Sequence, residues 1–169
     1  HDYFLEAATI ILKKVPNAKF IIAGSGPGFD EISRKVITKG LEKAVFMLGH
    51  REDIPEIIAA LNILVLASTG GEATSQVIPQ AFAMKTPVVG TRAGGIPEIL
   101  GDEERGLIAE PKNGSDLADK ILSLLENPIK GKSLSDKAYK YCLQKLTFET
   151  HMDKTISVYR DTLKEQVSS

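Results

Sequence analysis

Residues 67–100 read ASTGGEATSQVIPQAFAMKTPVVGTRAGGIPEIL, and the order of patterns within them predicts the topology of the chain. It continues a largely apolar run of strand length, Leu61–Ala67, and it contains helical spacing over Ser75–Met84 and a second short strand at Pro87–Gly90. Two buried strands joined through a helix indicate a parallel pair whose carboxyl ends reach the same edge of a sheet. Because ligands of open α/β sheets bind outside that edge, we expect a binding crevice there.

The rest of the chain alternates helices and strands in the same way. This alternation predicts an α/β fold, with a doubly wound parallel sheet and helices on both faces. A length of 169 residues with 43% hydrophobic content suffices for one core, so we expect residues 1–169 to form a single domain. The predicted helices are Phe4–Lys14, Ile32–Thr38, Ile54–Ala60, Leu117–Leu125, Leu134–Leu146 and Phe148–Val167, and the further strands are Lys19–Ala23, Ala44–Leu48 and Gly106–Ala109.

Charge and composition exclude several classes of partner. The 21 basic and 22 acidic residues give a net charge of -1, which creates no strong field for nucleic acid. A lone cysteine, Cys142, cannot form an internal disulfide, and three scattered histidines form no metal-ligand pattern, so we expect a cytoplasmic protein without a metal. No apolar run reaches the roughly 18 residues of a membrane span, so we expect any membrane association to be peripheral, at the inner face, and through a part of the protein outside these residues.

A glycine-rich turn follows the predicted strand Lys19–Ala23. The sequence GSGPGF over residues 24–29 begins like a dinucleotide fingerprint, but Phe29 stands where the third glycine belongs. We therefore do not expect a nicotinamide cofactor. Gly24 and Gly26 either let the backbone approach a phosphate or only permit a tight turn, and the sequence leaves both interpretations open.

The motif EATSQVIPQAFAMKTPVVGTRAGGIPEIL, residues 72–100, resembles the signature of retaining glycosyltransferases of family 4 with the GT-B fold. That signature has a glutamate, seven residues, Glu-Ala, then Pro-Val-Val and Gly-Gly-x-Pro-Glu. FIIAGSGP at residues 20–27 and VFMLGHRED at residues 45–53 resemble two further strands of the family with their loops. The resemblance covers almost the whole chain and implies the Rossmann-like, carboxyl-terminal, donor-binding half of such an enzyme, with the amino-terminal acceptor domain outside these residues.

The resemblance also implies where a nucleotide diphosphate sugar would bind. Glu72 would be catalytic, because its carboxylate would contact the sugar hydroxyls and stabilise positive charge at the anomeric carbon. Without the resemblance, Glu72 would count as an ordinary solvated loop acid. The backbone amides of Thr74, Ser75 and Gln76 would face the diphosphate at a helix start. The other implied contacts to base, phosphate and sugar are Gly24, Gly26, Gly49, His50, Arg51, Gly94 and Gly95.

Gln80 departs from the family pattern. The family usually has a glutamate here that accepts hydrogen bonds from the ribose hydroxyls, and glutamine keeps an acceptor oxygen but loses the charge. A neutral hydrogen bond contributes about 0.5–1.5 kcal/mol, against about 1.5–3 kcal/mol for one to a charged group. We expect donor binding to be weakened but retained, unless Gln80 is simply a polar residue on an exposed helix face.

Taken together, the resemblance implies transfer of a sugar from a nucleotide diphosphate sugar to a polysaccharide or glycolipid, with retained anomeric configuration and no obligatory metal. It also implies an arginine and a lysine upstream of His1 that clamp the diphosphate, so we expect residues 1–169 alone to be inactive. Two alternatives remain open at this point. One is a GT-B epimerase or hydrolase of nucleotide sugars, and the other is a noncatalytic nucleotide-binding module.

Overall fold

The structure is a computed structural model that describes residues 1–70 and 75–167, with side chains through Leu163. The strands in this part of the chain are β1 (Phe20–Ala23), β2 (Val45–Gly49), β3 (Leu64–Leu66), β4 (Val88–Thr91) and β5 (Leu107–Ala109). The helices are α1 (Asp2–Lys14), α2 (Phe29–Thr38), α3 (Ile54–Ala60), α4 (Val77–Ala83), α5 (Ile96–Leu100), α6 (Gly114–Glu126), α7 (Pro128–Lys145) and α8 (Phe148–Val167).

All pairings between the described strands are parallel, and they form two groups. β1 pairs with β2, and β3, β4 and β5 pair in that order, with β4 in the middle. Val89 of β4 lies opposite Val65 on one side and opposite Leu107 on the other. The predicted α/β class and the edge position of the last strand are therefore confirmed, while the sheet divides into two groups between β1 and β3.

β4 is buried along its whole length. Val88 packs into a cluster with residues of α3, α4 and α5, whereas Val89 packs into a second cluster with residues of α1 and α6. Because successive side chains of a strand point to opposite faces, these two clusters lie on the two faces of the sheet. Helices thus cover both faces, as the doubly wound prediction requires.

Asparagine side chains begin both helices that follow β5. The Asn113 carbonyl oxygen Oδ1 accepts from the Asp116 N–H at 3.0 Å, and Asn127 Oδ1 accepts from the Lys130 N–H at 3.1 Å. Asn127 is at the same time the residue that ends α6. From there α7 runs on to contact α4 and α6, and its buried residues follow a helical spacing: Gly131, Leu134, Ser135 and Ala138.

Several predicted boundaries are wrong, each for a local reason. α4 begins at Val77 rather than Ser75, because Ser75 is not helical and Gln76 is the capping residue.

β3 covers only Leu64–Leu66 because Leu61 closes α3, its N–H donating to the Ile58 carbonyl. α7 begins at Pro128, six residues before the predicted start at Leu134, because Asn127 both ends α6 and caps α7. Proline is accepted in the first turn of α7, where no N–H is needed.

Gly90 lies at the point where β4 meets α5. A Cβ atom built on Gly90 would be 2.6 Å from Ile96 Cγ2 and 3.1 Å from Leu100 Cδ1. Both side chains are at most 1% exposed, so neither can move aside freely. The close approach of α5 to the central strand therefore requires glycine at this position.

We predict that Gly90→Ala lowers the free energy of unfolding by about 1–3 kcal/mol, because the added methyl overpacks this contact. Gly131→Ala is the matched control. Its new Cβ would make only an ordinary 3.5 Å contact with Pro87 Cγ inside α7, so we expect a gain of about 0.4–1 kcal/mol. Urea denaturation of both variants measures the difference, and an unchanged stability for Gly90→Ala would contradict the packing argument.

Candidate functional site

The carboxyl ends of β1 and β2 are joined by a backbone hydrogen bond between glycines. The Gly24 N–H donates to the Gly49 carbonyl at 2.7 Å. Gly24 has φ +136° and Gly49 has φ +65°, values that residues with a side chain rarely adopt. Both glycines are therefore required by the backbone of the turn, whatever ligand binds beside them.

Gly26 differs from these two glycines. It does not have a positive φ, and a Cβ atom built on it would meet nothing within 4 Å. Its carbonyl accepts from the Phe29 N–H at the start of α2. The fold itself does not require glycine at position 26, so exposed backbone at this position is open to a ligand.

β3 and β4 are tied together where they leave the sheet. The Thr91 hydroxyl donates to the carbonyl oxygen of Ser68 and also lies 3.3 Å from the Leu66 carbonyl. Thr91 is only 3% exposed. This contact fixes the chain that enters the loop after β3, and the sequence patterns above did not single it out, because a threonine after two valines has no helical or motif signature.

The loop after β3 carries the predicted catalytic residue. Glu72 and Thr74 lie outside the described residues, so their predicted roles stay predictions. Of the residues that follow, Ser75 is buried, whereas Gln76 and Gln80 are exposed. Ser75 and Gln76 precede the seven-residue helix α4, and Gln80 lies in its first turn, with its backbone N–H directed to the Gln76 carbonyl.

Arg51 is held by a neighbouring carboxylate. Its Nε donates to Asp53 Oδ1 at 2.7 Å, and its Nη2 donates to the other carboxylate oxygen, a two-point contact. This guanidinium keeps the pKa of the Asp53 carboxyl below its usual value. The neighbouring His50 side chain is exposed. The loop after β2 therefore offers backbone and the His50 ring rather than an unpaired arginine.

Gly94 and Gly95 form the turn between β4 and α5. Gly94 has φ +52°, and Gly95 is the capping residue before Ile96. The nearby Arg92 Nε donates to Glu110 Oε1 at 3.2 Å, and Arg92 Nη1 lies 4.0 Å from Asp102 Oδ1. Arg92 therefore faces acidic side chains of its own chain.

A cavity of about 570 Å³ runs between β1 and β3 up to this edge. His1, Ala23, Ser68 and Thr69 are among the residues that line its upper part. A second hollow of about 140 Å³ lies over the turn that contains Gly24, Gly26 and Gly28. The structure thus places the end of β1 and the loop after β3 around one cavity, and the glycine turn after β1 around a separate hollow. Contacts of a ligand with Gly94 and Gly95 stay predictions.

Among residues 1–70 and 75–167, no three His, Cys, Asp or Glu side chains come together in a way that would hold a metal ion. No helix in those same ranges combines the length and the apolar character needed to cross a membrane.

The sequence matches a family model and curated proteins of that family. The model for glycosyl transferases group 1 matches residues 1–141. The poly(ribitol-phosphate) alpha-N-acetylglucosaminyltransferase of Staphylococcus aureus is 28% identical over 160 residues, which are 94% of this chain and 32% of that protein. The chain spans less than half the length of curated relatives that it matches.

Solved structures agree with this match. HepE from Anabaena in complex with UDP-glucose has a TM-score of 0.83 and 26% identity, with 94% of this chain and 45% of that chain covered. The carboxyl-terminal domain of LpcC from Francisella tularensis, a glycosyl transferase group 1 family protein, has a TM-score of 0.75 and 31% identity, with 86% and 78% covered. The likeness to LpcC concerns a carboxyl-terminal domain of similar size.

We predict that Thr91→Val lowers the free energy of unfolding by about 0.5–1.5 kcal/mol and speeds amide hydrogen exchange at Thr69 and Gly70, because the hydroxyl no longer holds the Ser68 carbonyl. Thr91→Ser keeps the hydroxyl and should keep exchange at these two amides slow. Faster exchange in Thr91→Ser but not in Thr91→Val would mean that the Thr91 methyl group, rather than the hydrogen bond, orders the loop.

Proposed function

Because this chain belongs to the group 1 glycosyltransferases, we propose that it is the donor-binding domain of a retaining enzyme that transfers a sugar from a nucleotide diphosphate sugar to a polysaccharide or glycolipid acceptor. The observation that carries the proposal is the carboxyl edge of the sheet, where Ala23 at the end of β1 and Ser68 and Thr69 after β3 line one cavity and the glycine turn after β1 lines a smaller hollow. Ligands of parallel α/β sheets bind at this edge.

The donor in this proposal is a uridine diphosphate sugar. HepE, which shares the fold at a TM-score of 0.83, was crystallised with UDP-glucose. In this chain the base would lie against the loop of Gly49 and His50, and the diphosphate would lie near Gly24 and Gly26. Backbone N–H groups and glycines suit such contacts because no side chain stands between the chain and the phosphate oxygens.

Arg51 and Arg92, near the carboxyl edge of the sheet, contact carboxylates of this chain. Arg51 is paired with Asp53, and Arg92 faces Glu110 and Asp102. A diphosphate leaving group needs positive charge to stabilise it as the glycosidic bond breaks. We propose that this charge is supplied from outside residues 1–169, in the amino-terminal part of the enzyme. On this basis residues 1–169 alone should show no transferase activity.

The carboxylate of Glu72 and the carboxamide of Gln80 have different proposed roles. Glu72 would accept hydrogen bonds from the transferred sugar and stabilise positive charge at its anomeric carbon, while the donor's own β-phosphate assists the acceptor hydroxyl on the same face. Gln80, which is exposed at the start of α4, would accept from a ribose hydroxyl. A membrane-associated acceptor would be reached through the amino-terminal part.

We predict that the full-length protein binds UDP more tightly than GDP or ADP in calorimetric titrations. Gln80→Ala should weaken UDP binding about three- to tenfold, and Gln80→Glu should tighten it by a similar factor, because a charged acceptor adds about 1 kcal/mol. Gln144→Ala, an exposed glutamine on α7, is the matched control and should leave affinity unchanged. Glu72→Ala should abolish sugar transfer with little effect on UDP affinity.

The outcomes separate the proposed roles. Equal affinity for the three diphosphates would contradict the uridine assignment. If Gln80→Ala and Gln144→Ala behave alike, Gln80 is only a surface residue. Retained transfer by Glu72→Ala would contradict its catalytic role, and absence of any diphosphate binding by the full-length protein would contradict a donor domain altogether.

We predict that Gly26→Ala lowers UDP affinity, whereas Gly24→Ala lowers the stability of the fold. Gly26→Ala should leave stability unchanged or slightly raised but weaken UDP binding at least about tenfold, because its methyl occupies space that only a ligand would use. Gly24→Ala should lose about 1–3 kcal/mol of stability, because alanine is strained at φ +136°. Thermal unfolding and UDP titration measure the two effects. Unchanged affinity in Gly26→Ala would mean that position 26 does not approach the nucleotide.

A further inference from the structure

β5 is an edge strand whose residues are nevertheless buried. Among the described strands it pairs only with β4. Leu107, Ile108 and Ala109 are each at most 3% exposed, so other parts of the chain cover the outer edge of β5. An unpaired strand edge offers N–H and C=O groups to any further strand, and it promotes association unless something covers it.

The direction of each peptide group in β5 follows from the pairing with β4. The Ala109 carbonyl accepts from the Arg92 N–H, so the N–H and the carbonyl of Ala109 are directed towards β4. Because successive residues of a strand alternate in direction, the N–H groups of Ile108 and Glu110 point away from β4, to the outer edge. These are the groups that a further strand would bond.

Two carboxylates accept hydrogen bonds from these outward N–H groups. Glu103 Oε1 accepts from the Ile108 N–H at 3.0 Å, and Asp116 Oδ2 accepts from the Glu110 N–H at 2.6 Å. Hydrogen bonds to a charged acceptor are roughly twice as strong as neutral ones. At these two positions, side-chain oxygens take the place that the carbonyls of a neighbouring strand would have.

α6 holds both carboxylates in place. Asp116 lies in its first turn, and Lys120 follows four residues later, on the same side of the helix. Lys120 Nζ donates to Glu103 Oε1 at 2.7 Å. This bond and the one from the Ile108 N–H keep the pKa of the Glu103 carboxyl below its usual value. Glu103 is therefore ionised at neutral pH and is fixed from two sides.

The backbone of the loop before β5 is not what requires glutamate at position 103. Asp102 and Glu103 have φ +47° and φ +76°, in the left-handed region that favours glycine. Aspartate is one of the side chains enriched in that region, whereas glutamate is not. Glycine would adopt φ +76° without strain, so the turn alone does not account for Glu103. The contacts of its carboxylate with Ile108 and Lys120 do.

The charges beside this edge oppose the approach of a second copy of the chain. In an antiparallel pairing of two β5 strands about a two-fold axis, Ile108 of each copy would face the other and exchange both N–H···O bonds. The side chains of Asp102, Glu104 and Glu110 flank β5 in sequence and are more than half exposed. Such a pairing would therefore bring like charges together.

We propose that Glu103 and Asp116 block strand addition at the outer edge of the sheet and so keep a second copy of this chain from pairing with β5. They do so by occupying the N–H groups of Ile108 and Glu110, which the β5 strand of the other copy would need. With both carboxylates removed, the edge becomes available and the protein associates through it. The blocking contacts lie within residues 103–120 and do not depend on the nucleotide that the protein binds.

A double variant of the full-length protein, Glu103→Gly with Asp116→Ala, tests this proposal. Glycine suits φ +76° and alanine suits a helix, so both substitutions keep the backbone. Sedimentation at concentrations up to about 100 μM should show self-association at least about tenfold stronger than in the wild-type protein. At low concentration the amides of Ile108 and Glu110 should exchange at least about tenfold faster than in the wild type, and their exchange should slow as the protein associates.

Asp102→Gly with Asp119→Ala is the matched control. This pair removes two carboxylates from the same loop and the same helix and places glycine at another positive φ, yet it leaves both outward N–H groups bonded. Its self-association should equal that of the wild-type protein. The Leu107 and Ala109 amides, which face β4, should stay protected in both double variants and thereby report an intact strand.

Four results would overturn the blocking role. Fast exchange at Ile108 and Glu110 without stronger association would mean that the freed edge does not accept a strand. Unchanged slow exchange at these two amides, at low concentration, would mean that something other than the two carboxylates closes the edge. Fast exchange at Leu107 and Ala109 as well would mean that the carboxylates hold the strand itself. Equal association of the two double variants would mean that loss of charge, rather than loss of the two hydrogen bonds, brings the copies together.

Discussion

Burial of β4 between two layers of helices positions its neighbouring strands and the loops at the carboxyl edge of the sheet. Val88 and Val89 pack into different hydrophobic clusters, and the neighbouring strands β3 and β5 are placed by pairing with β4. Gly90 allows α5 to lie close to the strand, and Thr91 fixes the end of β3 through its hydroxyl. The same four residues thus organise the core and set the geometry of the loops at the carboxyl edge.

The glycines at that edge serve different physical purposes. Gly24 and Gly49 are fixed by their backbone angles, and Gly90 is fixed by the space that α5 leaves. Gly26 and Gly28 are subject to neither constraint, so a ligand beside this turn offers an explanation for glycine at both positions. The charges at the edge show a related pattern, since Arg51 and Arg92 both meet carboxylates of their own chain. Backbone hydrogen bonding, rather than unpaired charge, is what this part of the molecule presents to an anion.

Local patterns in the sequence predicted much of the fold. The bounds of α3 and α8 match the predicted ones, because helix spacing acts over a few residues. The division of the sheet could not be predicted in this way, since strand pairing joins residues far apart in sequence. The Arg51–Asp53 contact and the Thr91 hydroxyl were missed for a similar reason: both depend on rotamers and loop geometry, which no motif encodes. For the central loop, the expected roles of Glu72 and Thr74 still rest on resemblance.

The junction at Asn127 has a consequence for how this chain can change in evolution. One residue ends α6 and caps α7, so the two helices share a joint with no spare length. An inserted residue would turn α7 by about 100° about its axis. That rotation would carry Leu134 and Ala138 away from their buried positions and present lysines to α4 instead. Insertions and deletions in descendants of this sequence should therefore avoid the α6–α7 junction, whose length is set by packing on both sides.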